Sequence, residues 1–213
     1  LDALVALCAE HGLRLIEDCA HAHGTFWRGR GVGSWGDFGS FSMQRSKLMT
    51  AGEGGALICN DEELRDRAWA YADCGRTKGE WFYHHATYGS NLRMTEWQGA
   101  VLRAQLTRFP AQNAIRNANA IALNQALDEI PGLRTPRRDP RMDTQGNYCF
   151  VIHYDSASFA GLPLAPGIVM MRLQPDILIK QFLGQSLQQD AGNESVEIAL
   201  VGDNDIRMWQ HSH

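Results

Sequence analysis

A lysine and an aspartate in the first 50 residues have the residue types and neighbours of a site for covalent amine chemistry. Asp18 follows a short apolar run, and Lys47 lies between small hydroxyl residues and a glycine-rich segment at 52–55. A lysine amine forms Schiff bases with carbonyl groups, and an acid can hold a pyridinium nitrogen protonated. The two roles together suit pyridoxal phosphate, whose protonated ring is an electron sink for a carbanion formed on the substrate.

Each of these signals also has an ordinary structural explanation. An aspartate at a strand end often caps or forms a turn, and most lysines are solvated surface residues. Ser42, in the Gly-Ser-Phe-Ser run before the lysine, is either a strand hydroxyl or a phosphate ligand. A Gly-Glu-Gly-Gly run occurs in many folds. A cofactor site is favoured because all of these features follow one another in order along the chain.

A metal site is the alternative use of the segment that follows Asp18. Cys19, His21 and His23 alternate along one extended stretch and form a soft ligand set. No second cluster supplies a fourth ligand at a spacing familiar from zinc sites. The sequence therefore predicts no metal site.

Short strands must place the aspartate and the lysine. The apolar run 13–16 predicts a strand that ends in Glu17 and Asp18, and runs 38–43 and 56–59 predict two more strands. In open α/β sheets, ligands bind at the carboxyl ends of the strands. Asp18 is therefore expected where the chemistry of such a fold takes place.

Helical patterns and capping residues surround these strands. Gly12 is a candidate C-cap for the first helix, and Asn60 or Asp61 is a candidate N-cap for the second. Residues 163–213 carry an irregular pattern that assigns no element. The predicted helices are 1–11, 61–73, 95–107 and 112–129, and a further strand is predicted at 147–154.

Composition limits the classes of function. The chain has 213 residues, 44% of them hydrophobic, and a formal net charge of −4. This balance argues against electrostatic binding to nucleic acid or to an anionic membrane surface. No apolar run is long enough to span a bilayer, and no secretory signal is recognisable. The five cysteines are scattered, which indicates free thiols in a reducing compartment, and we expect a cytoplasmic protein.

Four segments resemble those of the DegT/DnrJ/EryC1/StrS aminotransferases. They are Glu-Asp-Cys-Ala-His at 17–21, Gly-Ser-Phe-Ser at 39–42, the lysine segment at 46–55 and Gly-Ser-Asn-Leu-Arg-Met at 89–94. These are fold-type I pyridoxal phosphate enzymes that act on keto sugars and keto cyclitols. The resemblance extends with less specificity to about Gly161.

The resemblance implies an α/β fold: part of the large domain of these enzymes, with a mixed, mostly parallel sheet and flanking helices. It implies a partial cofactor-binding domain at 1–133, a crossing and the start of a small C-terminal domain at 134–161, and an unplaced tail at 162–213. Because family members are substantially longer, we expect a fragment that is incomplete at both ends.

The same resemblance implies a role for each matching residue. Lys47 becomes the Schiff-base lysine and the acid/base, and Asp18 the partner of the pyridine nitrogen. His21 would lie by the ring and its 3-hydroxyl, and Ser42 would hydrogen-bond the phosphate. Asn91 would reach the phosphate of the other subunit, so a homodimer with shared sites is expected.

The segment 74–79 is similar to the branch that contains 3-amino-5-hydroxybenzoate synthase and the glutamine:scyllo-inosose aminotransferases. That branch implies glutamine or glutamate as amino donor and a keto sugar or keto cyclitol as acceptor, in the biosynthesis of antibiotic precursors. Arg76 and Lys78 either face an anionic substrate group or are exposed loop charges. The alternative function is a non-catalytic remnant that keeps only structural or interface elements. A sugar dehydratase would have histidine in place of Lys47.

Overall fold

The computed structural model describes residues 1–81, 83–154, 167–171, 197–202 and 205–210. Two compact units divide the chain. The first consists of Leu1–Pro110 and Arg141–Gln145, and the second of Ala111–Pro140 and the described residues from Gly146 onward. The boundaries predicted at 133 and 161 stay predictions.

The described residues form three helices and eleven strands. The helices are α1 (Asp2–Glu10), α2 (Glu62–Ala72) and α3 (Glu96–Asp128). The strands are β1 (Ile16–Asp18), β2 (Phe26–Trp27), β3 (Arg30–Gly31), β4 (Phe38–Ser42), β5 (Gly55–Ile58), β6 (Leu133–Arg134), β7 (Met142–Thr144), β8 (Phe150–Tyr154), β9 (Gly167–Met171), β10 (Glu197–Gly202) and β11 (Asp205–Gln210). No helix in the described part of the chain has the length and apolar character that a membrane crossing requires.

A three-stranded mixed sheet, in the order β1-β4-β5, carries the candidate site in the first unit. Strands β1 and β4 are parallel, with Asp18 beside Ser40, whereas β4 and β5 are antiparallel. All three strands form where the apolar runs predicted them. The mixed α/β architecture is thus confirmed, with β1 and β4 as the parallel pair among the described strands.

Helix α2 begins as its sequence predicts. The Asp61 side chain is the N-cap and accepts a hydrogen bond from the Leu64 N–H at 3.0 Å. Glu62 and Glu63 follow in the first turn, where carboxylates interact favourably with the positive end of the helix dipole. Of the two cap candidates, Asn60 and Asp61, the structure selects the second.

Helix α3 corrects the prediction of two helices at 95–107 and 112–129. The structure has one helix of 33 residues with Pro110 inside it. Proline removes one backbone hydrogen bond and crowds the preceding turn, so it often ends a helix. Here the long helical pattern on both sides of Pro110 outweighs that local cost. At its start, Thr95 and Gln98 exchange hydrogen bonds in a capping box.

The second unit has its own small core and an antiparallel sheet. Buried side chains of α3 and β8 pack together, with Leu127 and Leu133 against them; they are Ala120, Leu123, Phe150 and Ile152. The sheet order is β11-β10-β9-β8-β6. Strand β8 confirms the strand predicted at 147–154. Residues 163–213, to which the sequence assigned no element, contribute β9, β10 and β11.

Candidate active site

The register of the parallel pair places three polar side chains on one face of the sheet. Asp18 lies beside Ser40 across the ladder, and Ser42 is two residues further along β4. Side chains alternate between the two faces of a strand, so Asp18, Ser40 and Ser42 share a face at the carboxyl ends of β1 and β4. We call this the site face. Both predicted residues, Asp18 and Ser42, belong to it.

The backbone turns sharply directly after Asp18. The Asp18 Oδ1 atom accepts the Ala20 N–H at 3.0 Å, and the Cys19 N–H donates to the Ser40 carbonyl at 2.8 Å. The first bond is a local turn contact, as the structural interpretation of the residue predicted. The carboxylate nevertheless stays exposed to solvent. It is therefore held in place and still accessible to a ligand.

Lys47 lies in a loop that is tied to the end of β4. The Met43 N–H donates to the Gly54 carbonyl at 2.8 Å, and the Ala51 N–H donates to the Met43 carbonyl at 2.9 Å. Met43 and Leu48 are buried, which anchors the loop on both sides of the lysine. Lys47 itself is half-buried. The glycines after the lysine thus close a compact loop.

The charges of Asp18 and Lys47 have opposite effects on the pKa of the His21 imidazole. Burial lowers the pKa of its imidazole, the Lys47 ammonium lowers it further, and the Asp18 carboxylate opposes both effects. The two charged groups therefore act on the same imidazole. Asp18 and Lys47 thus both lie near enough to His21 to act on it electrostatically, and the joint role of the three residues stays a prediction.

His23 is a buried histidine. The sequence places it only in the rejected set of metal ligands and predicts no role for it. It is 3% exposed, and its ring meets that of Phe41 edge-on with centroids 5.4 Å apart. Neither ring nitrogen has a hydrogen-bond partner of ordinary geometry. Burial lowers its pKa; the Ser42 backbone opposes this, and the charges of Lys47 and His21 add to the lowering. His23 is a neutral imidazole beneath the site.

The candidate metal ligands do not form a cluster. Cys19 is 2% exposed, and burial raises the pKa of its thiol to about 11, with the Glu17 and Asp18 charges adding to the effect. A buried thiol of this kind is a poor metal ligand because metals bind the thiolate. Among the described residues, no three histidine, cysteine or acidic side chains are arranged to hold a metal ion.

Asn91 lies on the segment between α2 and α3. It forms an isolated antiparallel bridge with Asp73, and its side-chain oxygen accepts the Arg93 N–H at 3.4 Å. The Arg93 guanidinium in turn binds the Asp73 carboxylate. These contacts hold Asn91 at the end of α2 with its side chain exposed. A role toward the phosphate of a partner subunit stays a prediction.

The residues of the site face, together with Lys47 in the loop after β4, fit pyridoxal phosphate. They supply a half-buried amine, an accessible carboxylate and a serine hydroxyl within one small region. The Ser42 Oγ atom accepts the Gln44 N–H at a long 3.4 Å, so the hydroxyl hydrogen can be donated elsewhere. This is the donor chemistry that a Schiff-base aldehyde, a pyridine nitrogen and a phosphate require.

Comparisons with known proteins identify relatives of this chain. The model of the DegT/DnrJ/EryC1/StrS aminotransferase family matches residues 1–162. The L-glutamine:2-deoxy-scyllo-inosose aminotransferase of Streptoalloteichus tenebrarius is 44% identical over 173 residues, which cover 77% of this chain and 41% of that protein. The 3-amino-5-hydroxybenzoate synthase of Amycolatopsis mediterranei is 40% identical over 150 residues, covering 70% and 39%.

A crystal structure of 3-amino-5-hydroxybenzoic acid synthase superposes with a TM-score of 0.67 at 39% identity, covering 72% of this chain and 40% of that one. The chain spans about two fifths of the length of these relatives. The matching family model and the similar solved structures place the chain in a class, the pyridoxal phosphate-dependent aminotransferases. Within that class, the chain belongs to the DegT/DnrJ/EryC1/StrS aminotransferase family.

Proposed function

We propose that this protein is an aminotransferase that moves an amino group from glutamine or glutamate to a keto cyclitol or keto sugar, using pyridoxal phosphate. The observation that carries the proposal is the position of Asp18 and Ser42 on one face at the carboxyl ends of β1 and β4, with Lys47 in the loop that is tied to the end of β4. An acid at the end of one strand and an amine in the loop after the neighbouring strand are the two groups that the cofactor needs.

Lys47 and Asp18 divide the chemistry between them. The cofactor, when bound, would supply an electron sink for the electron pair that remains when the substrate carbon loses its proton. Lys47 would hold the cofactor covalently at rest, and its amine, once released, would take the proton from the substrate α carbon and return it during the amino transfer. Asp18 keeps the proton on the pyridine nitrogen, because an adjacent carboxylate favours the positively charged form of the ring.

His21 and Ser42 bind and orient. The lowered pKa of His21 keeps its imidazole neutral at pH 7, so it can donate one hydrogen bond to the ring 3-oxygen without adding a second positive charge. Ser42 donates its hydroxyl to the phosphate. Asn91 completes the phosphate contacts of a neighbouring subunit in the homodimer that we propose.

The charges of the 74–79 segment support an uncharged amino acceptor. Arg76 is 17% exposed and binds Asp73 at 3.4 Å. The Lys78 ammonium binds Asp66 at 3.0 Å and lies 5.3 Å from the centre of the Trp69 ring. Both cations are thus engaged within the chain, which favours the structural interpretation of these residues over recognition of an anionic substrate.

The names of the relatives indicate the substrate class. One relative is named for glutamine and 2-deoxy-scyllo-inosose, a keto cyclitol without an anionic group. All five cysteines are free, which supports a reducing compartment and the cytoplasm. We therefore propose a cytoplasmic enzyme that aminates a neutral keto cyclitol in the biosynthesis of an antibiotic precursor.

A transamination assay tests the proposal. The full-length protein, supplied with pyridoxal phosphate and glutamine, should convert 2-deoxy-scyllo-inosose into the corresponding amine, detected by mass spectrometry. Lys47→Ala should abolish turnover, and Lys78→Ala should retain it because Lys78 binds only Asp66 and Trp69 in the described contacts. A folded protein that binds no cofactor would instead favour the non-catalytic alternative, and turnover in the Lys47→Ala variant would contradict the proposed mechanism.

A further inference from the structure

Glu17 is a buried carboxylate that the proposed chemistry does not use. It is 9% exposed and precedes Asp18 on β1, so its side chain points to the opposite face of the sheet. Its Oε2 atom accepts the Gly33 N–H at 2.7 Å. Its Oε1 atom accepts the N–H groups of Trp35 and Gly36, each at 2.7 Å. One carboxylate thus satisfies three backbone donors of a single loop.

This loop, residues 31–37, is fitted tightly against the sheet. A Cβ atom on Gly36 would lie 2.4 Å from the Leu15 carbonyl oxygen, and one on Gly39 would lie 2.2 Å from the Gly33 carbonyl oxygen. A Cβ atom on Gly33 would lie 2.7 Å from the Phe41 ring. Because backbone packs directly on backbone here, the loop cannot shift without moving β1 and β4.

The contacts of the loop lead back to the site face. Phe41, against which the loop packs, also contacts His23 beneath the site. The Cys19 N–H closes the β1–β4 ladder on the Ser40 carbonyl, one residue beyond Asp18. The loop therefore supports the stretch of backbone that carries Asp18.

We propose that Glu17 is a positioning residue for the reaction: its carboxylate clamps the 31–37 loop beneath the sheet and so fixes the place of the Asp18 carboxylate. The inference rests on the proposed function. A carboxylate suits this task because all four of its lone-pair sites accept and none donates. A glutamine would point its own NH2 donor at one of the three backbone N–H groups, so that hydrogen bond would be lost.

The test compares Glu17→Gln with Asp37→Asn in the full-length protein loaded with pyridoxal phosphate. Asp37 is the matched control, because it also ties the loop to the backbone just before β1, through the Leu15 N–H at 2.8 Å and Arg14 at 2.6 Å, but accepts none of the Gly33, Trp35 or Gly36 amides. We expect Glu17→Gln to lower kcat about tenfold with little change in KM, as a small misplacement of a catalytic group does.

Two further readouts do not depend on turnover. Glu17→Gln should speed hydrogen exchange at the amides of Gly33, Trp35 and Gly36 and change the visible absorbance of the bound cofactor. Asp37→Asn should lower only the unfolding midpoint. Glu17→Asp, which keeps the charge, serves as a second variant if Glu17→Gln does not fold, and should give a smaller loss of kcat.

Two results would overturn the inference, and they can be told apart. If Glu17→Gln keeps the wild-type kcat and absorbance, or changes them no more than Asp37→Asn does, Glu17 is merely structural and the inference is overturned while the proposed function stands. A wild-type protein that binds no cofactor overturns both.

Discussion

Two neighbouring residues of β1, Glu17 and Asp18, have different roles because side chains alternate between the two faces of a strand. Asp18 points to the site face and stays accessible, whereas Glu17 points to the other face and is buried under three amide donors. The position of the Asp18 carboxylate therefore depends on backbone that the hydrogen bonds of Glu17 hold in place.

We predict that Asp18→Asn retains some cofactor binding but loses most transamination. A hydrogen bond to a charged group contributes about 1.5–3 kcal/mol, and losing it corresponds to about a 10–100-fold effect. The catalytic loss should exceed this, because a neutral amide no longer holds the ring protonated. Asp61→Asn is the control, since asparagine caps a helix as well as aspartate. Kinetics and a cofactor titration check the prediction; near-native turnover in Asp18→Asn would exclude the role.

The two histidines predict how stability depends on pH. Their folded pKa values lie below the ordinary 6.5. The unfolded chain therefore takes up protons before the folded protein does. The stability that the neutral imidazoles contribute is fully present above pH 6.5 and is lost as the pH falls from 6.5 through the folded values.

Chemical unfolding at several pH values measures this effect. His23→Phe keeps a ring against Phe41 but cannot be protonated, so it should flatten the dependence of the unfolding midpoint on pH. An unchanged slope in this variant would show that His23 is not held neutral.

At the scale of elements, the glycines of β4 and its loop decide whether the sheet closes. Gly39→Ala would place a Cβ atom 2.2 Å from the Gly33 carbonyl oxygen, and overpacking against backbone costs about 1–3 kcal/mol or more. Gly99→Ala is the control: nothing lies within 4 Å of its Cβ position in α3, and alanine stabilises a helix interior by about 1 kcal/mol. Denaturant unfolding should therefore shift in opposite directions, and equal shifts would contradict this packing.

Elements with strong local signals were predictable from the sequence. Strands β1, β4 and β5 follow apolar runs, α2 has its own cap, and Asp18 and Ser42 lie on one face at the predicted strand ends. That α3 continues through Pro110 was not predictable. The cost of proline in helix stability is local, and it does not reveal how much stability the helical turns on either side contribute. The clamp at Glu17 was missed because its partners are amides 16 to 19 residues away, and no side-chain pattern marks backbone donors.

At the scale of the whole molecule, a shared site predicts complementation between subunits. Subunits with Asn91→Ala, mixed with subunits with Lys47→Ala, should recover activity in the hybrids if Asn91 serves the neighbouring phosphate. If Asn91 crosses to the neighbouring subunit, both substitutions fall in the same site of the hybrid dimer, so its other site is intact. Activity after refolding the mixture checks the prediction, and no recovery would count against a crossing asparagine.

The central claim is that Lys47 carries the cofactor. Borohydride reduction of the full-length protein with bound pyridoxal phosphate, followed by protease digestion and mass spectrometry, locates the modified lysine. The account predicts a pyridoxyl group on the peptide that contains Lys47 and its loss in Lys47→Ala. A pyridoxyl group found on Lys78 or Lys180 instead, with Lys47 unmodified, would contradict it.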